Sequence, residues 1–208
     1  MRYRMFDIRY RMVSSERMPR PARAKPKDKV IRLDAAAWIA AAFDALADGG
    51  IDTVRVEPLA KSLAITKGSF YWHFADRRAL IDAMLAAWTE GRIAAIRQQT
   101  ERGEPAAVLR TLADLYTRHA NVRGLAIELA IRSLARTDEH AAKAVRDVDR
   151  ERLQHVGKLF AGLGWPRTEA QARAILFYSY LFGQSLLDDE VVPASARDKA
   201  VHALIAAP

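Results

Sequence analysis

The sequence predicts an all-α fold of about nine helices, opening with a three-helix unit that contains a helix-turn-helix. Three observations carry this. No segment keeps a two-residue alternation of apolar and polar side chains for long, and β-branched residues are sparse, so strands have no template. Apolar residues recur instead at three and four positions, as Trp38, Ala41, Ala42 and Leu46 do. Glycine and proline punctuate the chain at helix-sized intervals, notably at Gly49-Gly50, Gly103, Pro105, Gly162, Gly164 and Pro166.

Residues 1–29 carry Pro19, Pro21 and Pro26 and no apolar period, so they are expected to form a disordered basic tail. The first helix is expected over Asp34–Ala47, ended by Asp48-Gly49-Gly50. A short helix near Glu57–Leu63 must begin close to Pro58, because proline is tolerated only in a first turn. Lys67–His73 follows, with Thr66 as its N-cap. Asp76 is placed to cap a long helix running to about Gln99. Further helices are expected near 105–119, 122–136, 138–162, 168–189 and 194–206, with Thr168 and Gln171 in a capping-box pattern.

The composition removes several classes of function. The chain has 208 residues, half of them hydrophobic, enough for one large or two small domains. It has no cysteine, which excludes disulfides, a thiolate nucleophile and thiolate metal sites. No apolar run approaches the ~20 residues of a membrane span, no signal-peptide core is present, and a cytoplasmic protein is expected. No P-loop, dinucleotide fingerprint or nucleophile elbow appears, and the five histidines are scattered. Catalytic residues, a metal site and a cofactor are therefore not expected. The net charge is +8, but residues 1–29 hold ten Lys or Arg against three acids, so residues 30–208 carry only +1. Only local arrangement can argue for a nucleic-acid partner.

That arrangement lies between Glu57 and His73, two short helices about a tight turn. Leu59, Leu63, Ile65, Phe70 and Phe74 can face Trp38, Ala41, Ala42 and Leu46. Lys67, Gly68, Ser69, Tyr71, Trp72 and His73 are then left outside. An ordinary aromatic core accounts for Phe70 and Phe74, which are four apart. It does not account for Trp72 and His73, since helix neighbours point about 100° apart. A helix entering a B-DNA major groove needs such donors and flat apolar edges on its outer side. Arg77 and Arg78 add positive charge at the rim. The basic tail reads either as an arm touching phosphates or a minor groove, or as residues upstream of a working start at Met5, Met12 or Met18.

The run GIDTVRVEPLAKSLAITKGSFYWHFADRRALIDAML resembles the N-terminal domain of the TetR family of bacterial transcriptional regulators over roughly residues 30–88. Gly49-Gly50, Leu59-Ala60, Ile65-Thr66-Lys67-Gly68, Tyr71-Trp72-His73-Phe74 and Arg78-Ala79-Leu80 carry the likeness. It implies an all-helical homodimer that binds a palindromic operator in double-stranded DNA. The implied organisation is a tail over 1–29, a DNA-binding domain over 30–76, and a helical effector-binding and dimerisation domain over 77–208. Within the resemblance, Lys67, Gly68, Ser69 and Tyr71 meet bases or nearby backbone, Trp72, His73 and Arg77 mostly hold phosphates, and Thr66 is a further DNA-binding candidate. Glu57 sits where a base-reading side chain stands in some members. Hydroxyl residues that hold a phosphate in the family are replaced here by Arg55 and Val56, of which only Arg55 can serve.

The remainder offers less. Ile175, Leu176, Ser179, Phe182, Gly183 and Leu186 share a period suited to a buried seam, either between two copies or within one. Trp88, Tyr116, His119, Glu128, Arg132, Phe177, Tyr178 and Gln184 are candidates for an effector pocket, in which a few polar groups converge among apolar ones. Glu128 and Arg132 are four apart in the apolar stretch GLAIELAIRSL, where a charge needs a partner. The expected function is a repressor released from DNA by a small-molecule effector. Two alternatives are a DNA-binding regulator whose body docks a protein, and a helical small-molecule enzyme.

Overall fold

The computed structural model describes residues 34–117, 122–187 and 191–208. The tail expectation for residues 1–29 and the pocket candidate His119 lie outside the described residues. Helix starts follow capping chemistry. Asp34, Asp76 and Asp138 each accept from the backbone N–H three residues on, at 3.0, 2.8 and 2.9 Å, which satisfies a donor the helix leaves orphaned. They open α1 (Ala35–Gly49), α4 (Arg77–Thr100) and α7 (Glu139–Gly162). Between them lie α2 (Val56–Ser62), α3 (Lys67–Phe70), α5 (Pro105–Thr117) and α6 (Val122–Leu134), and after them α8 (Arg167–Gln184) and α9 (Ala194–Leu204). A 3-10 turn spans Ile51–Thr53, and no strand occurs among the described residues. The predicted all-α class of about nine helices is the observed one.

Three local expectations differ. The Thr168 capping box does not form: α8 starts at Arg167 behind Pro166, whose φ of −55° and ψ of 147° set the entry angle, so Thr168 already lies inside the first turn. α3 stops at Phe70 instead of His73. His73 N–H and Phe74 N–H both bond to the Phe70 carbonyl, at 2.9 and 3.0 Å, and this tightened turn brings Phe74 back to the core. Thr66 has the extended backbone of an N-cap but makes no side-chain capping bond.

The helix-turn-helix turn is a Schellman-type cap. Ile65 N–H reaches the Ala60 carbonyl at 3.0 Å and Ala64 N–H the Lys61 carbonyl at 3.1 Å. Ala64 takes the left-handed position, φ +54°, that glycine usually fills. Gly50, at φ +75°, ends α1 in the same half of backbone space, with its N–H on the Leu46 carbonyl.

Packing follows the apolar stripes. One core gathers Trp38, Ala42 and Leu46 of α1, Leu59 and Ala60 of α2, Phe70, Phe74, the first half of α4, Ile127 and Ile131 of α6, and Ala141 and Val148 of α7. Trp38 and Phe70 meet edge to face at 5.2 Å, and Phe70 lies 5.5 Å from Phe74. Truncating a ring this buried costs about 3–5 kcal/mol. This core continues past residue 76 along α4. A second core joins Leu109 and Leu112 of α5, Val156 and Phe160 of α7, Ala174, Phe177 and Leu181 of α8, and Val201 beside Ile205. α7 contributes to both. At the start of α4, Arg77 donates to the Val54 and Ile51 carbonyls, both at 2.6 Å, tying the long helix to the turn after α1.

Candidate functional site

The short α3 can exist only because the core holds it: four residues are too few to be stable alone. Phe70 and Phe74 are its anchors, fully and almost fully buried. Everything between them turns outward. Lys67, Gly68 and His73 are exposed, Ser69 is half-buried, Tyr71 is 56 % exposed and Trp72 84 % exposed. Tyr71 is braced edge to face on Phe70 at 5.3 Å, which fixes an exposed ring without burying it. Arg55 and Glu57 are exposed at the start of α2, and Val56 is buried. The structure therefore brings Arg55, Glu57, Thr66, Lys67, Gly68, Ser69, Tyr71, Trp72 and His73 to the two short helices and their flanks. Arg77 stands beside them with two donors already given to backbone carbonyls.

Lys67 and Glu57 form an ion pair across the two short helices. The hydrogen bond to Lys67 holds the Glu57 carboxyl below its usual range, and the same bond raises the Lys67 ammonium. Both side chains are solvent-facing, so the pair orients the lysine more than it stabilises the fold.

A second polar assembly lies inside the body. Glu128 of α6 is fully buried. Its two carboxylate oxygens each accept from Arg152 of α7 at 2.7 Å, one also from Arg132 at 2.9 Å, and the other from Arg92 of α4 at 3.0 Å. Arg132 bonds in turn to Asp149 at 2.9 Å. Arg132 and Arg152 lie over the Phe182 ring at 4.6 and 5.3 Å, and Phe182 meets Tyr116 edge to face at 5.6 Å. Gln184 donates to the Tyr116 carbonyl at 3.2 Å. Burial pushes the Glu128 carboxyl up, but the Arg152 bonds and the charges of Arg152, Arg92 and Arg132 outweigh it and hold it at about 2. Burial, and then the neighbouring Tyr116 phenol, push the Tyr178 hydroxyl up.

Of the pocket candidates, Tyr116, Glu128, Arg132, Tyr178 and Gln184 thus converge. Trp88 packs in the first core and Phe177 in the second, where Phe177 meets Tyr178 edge to face at 5.7 Å. Arg92, Asp149 and Arg152 are members that sequence reasoning missed. A signal existed: Arg92 interrupts the row Met84, Trp88, Ile96, and Arg152 the row Val148, Val156, Phe160, each at four-residue steps.

On α8, Ile175, Leu176, Ser179 and Gly183 form an exposed face, with Ile175 and Leu176 55 % and 57 % exposed, and Leu186 is exposed in the turn just past its end. Phe182 is not part of it; its ring turns inward onto Tyr116 and Tyr178. Among the described residues nothing in the same chain buries this face. Among the described residues no group of three His, Asp or Glu is placed to hold a metal, and no helix is long and apolar enough to cross a membrane.

Residues 39–84 match the family described as bacterial regulatory proteins, tetR family. Two curated relatives match the same end. A class G tetracycline repressor of Vibrio anguillarum is 36 % identical over 61 residues, 29 % of each chain. A class A tetracycline repressor from transposon 1721 of Escherichia coli is 41 % identical over 49 residues, 24 % of this chain and 23 % of that one. These matches span less than a third of either repressor. Among solved structures, a transcriptional regulator of Rhodococcus sp. Rha1 superposes with a TM-score of 0.70 at 21 % identity, covering 83 % of this chain and 94 % of that one. At that identity the likeness speaks for the fold. The family match over residues 39–84 takes in the helix-turn-helix with its outward aromatic face, so this stretch of the chain is similar to the tetR family of bacterial regulatory proteins, and the solved structure shares the all-helical fold.

Proposed function

We propose that the protein is a sequence-specific DNA-binding transcriptional regulator, a homodimeric repressor released from a palindromic operator by a small-molecule effector. The observation that carries this is the outer face of α3 and its following turn. A folded domain anchors Phe70 and Phe74 and leaves Tyr71 and Trp72 in solvent between them, a costly arrangement unless something flat and polar covers the rings. In this reading Lys67, Gly68, Ser69 and Tyr71 meet base edges in the major groove. Trp72, His73, Thr66 and Arg55 meet backbone, and Glu57 orients Lys67 or accepts from a cytosine amino group. Arg77 contributes through whatever donors its two carbonyl bonds leave. The second copy docks on the α8 face of Ile175 and Leu176 with Leu186 just beyond it, which sets two recognition helices about 34–36 Å apart. The body over 77–208 holds the effector, and the protein performs no catalysis.

Selection of binding sites from random duplex DNA, with purified full-length protein, tests the reading. Enrichment of a palindrome is the expected result. A folded, dimeric protein that enriches no sequence, both as purified and after removal of bound small molecules by unfolding and refolding, overturns it.

A further inference from the structure

We propose that the buried arginine cluster is the seat of a small monocarboxylate, gripped by Arg92, with a hydrogen-bond donor of the same molecule meeting the Gln184 side-chain carbonyl. The inference rests on the effector-responsive reading above and supplies the chemical class of the effector.

Charge is the first argument. Three guanidinium groups, Arg92, Arg132 and Arg152, surround two carboxylates, Glu128 and Asp149. Among the described residues the assembly is one negative charge short of balance, and a largely buried charge without a counter-charge is costly. Glu128 cannot make up the deficit: its two oxygens already serve Arg152, Arg132 and Arg92.

Unused hydrogen-bonding capacity is the second. A guanidinium offers five N–H donors in a planar fork. Arg92 gives one, through Nη2, to Glu128, and its Nε is buried with no partner among the described residues. Gln184, also buried, spends both amide donations on the Tyr116 and Leu181 carbonyls at 3.2 Å, while its Oε1 accepts nothing among the described residues. A planar carboxylate matches the fork of Arg92. An adjacent hydroxyl or amide N–H matches the carbonyl of Gln184. Tyr116, Tyr178 and Phe182 supply apolar surface for the rest of such a molecule.

Position is the third. Arg92 sits on α4, whose first residue, Arg77, is bonded to the turn behind the recognition unit. A carboxylate that competes with Glu128 for Arg92 changes what holds α4 to α6. It shifts the DNA-binding head only if it favours one arrangement of α4 over the other.

The test uses the full chain and two probe pairs of matched shape, each with a hydroxyl donor: 3-hydroxybenzoate against 3-hydroxybenzamide, and 2-hydroxyhexanoate against 2-hydroxyhexanamide. Calorimetry and thermal shift are read without DNA. At least one carboxylate is expected to bind and raise the melting temperature, its amide to do neither, and Arg92→Met to weaken the carboxylate at least tenfold. Arg92→Lys, which keeps the charge and loses the fork, replaces the methionine variant if that one does not fold, with the same weakening expected. Absence of binding by both carboxylates overturns the proposal. So does equal binding of an acid and its amide, or undiminished binding to the folded Arg92 variant. The site-selection experiment separates the two readings. A selected palindrome with no carboxylate binding removes only this inference. Carboxylate binding at Arg92 with no selected DNA keeps the anion site and removes the regulator.

Discussion

Replacing Glu128 by glutamine removes one charge and almost no volume. The buried carboxylate sits at about 2 instead of 4.5. Converted at about 1.4 kcal/mol per tenfold change in proton affinity, that gap favours the charged side chain by about 3 kcal/mol. Removing one member of a buried ion pair costs about 3–5 kcal/mol by an independent route, so the two agree near 3. For a domain of this size each kcal/mol moves the melting temperature by about 2–4 °C, so Glu128→Gln is expected to melt about 6–12 °C lower. The assay is thermal and urea unfolding of both proteins at one protein concentration, because the stability of the proposed dimer depends on concentration. The pH dependence gives a second reading. Glu128 is depressed in the folded state, so its contribution is complete above 4.5 and is lost as pH falls toward about 2. The parent protein should lose this contribution across that window, and the glutamine variant, with no such group, should show a flatter acid profile. A cost below about 1 kcal/mol, the level of an exposed pair, would refute the reasoning. Parallel acid profiles would refute it equally.

Four other outcomes follow from the same structure. Tyr71→Ala should abolish specific operator binding and leave folding and dimerisation unchanged, since the ring is largely exposed; a normal gel shift by the dimeric variant removes its assigned role. Glu57→Ala frees Lys67, so non-specific affinity for duplex DNA should rise, and its salt dependence should steepen by about 0.9 in log–log slope for one added phosphate contact; an unchanged slope argues against a Lys67–phosphate contact. Leu176→Glu places a charge on the exposed α8 face and should convert dimer to monomer in sedimentation; a dimer at undiminished affinity would move the interface elsewhere. Ala64→Gly relieves a left-handed alanine and should be neutral or stabilising by up to about 1 kcal/mol, the strain relieved being offset by added unfolded-state entropy; a clear loss of stability in urea would show that the turn carries no such strain.

The helices were legible because their causes are local. Asp34, Asp76 and Asp138 announce helix starts, glycine and proline announce ends, and the apolar step of three or four marks the inner face. The outward face after α3 was legible for a related reason: Trp72 and His73 cannot share a helix face with Phe70 and Phe74, and the structure leaves them outside. Where sequence reasoning overran, at the end of α3 and at Thr168, the competing influence was the next anchor along the chain, Phe74 in one case and Pro166 in the other. The α8 row carried one period for two possible burials. Only packing decided it, because Phe182 was drawn inward by Tyr116 while Ile175 and Leu176 stay exposed among the described residues. The charge cluster depended on tertiary structure most of all. Arg92, Glu128 and Arg152 each interrupt an apolar row on a different helix, and each alone resembles an ordinary surface ion on a slightly rotated face. Their meaning comes from meeting, because a buried charge is tolerable only beside its partners, and those partners lie 24 and 36 residues away along the chain.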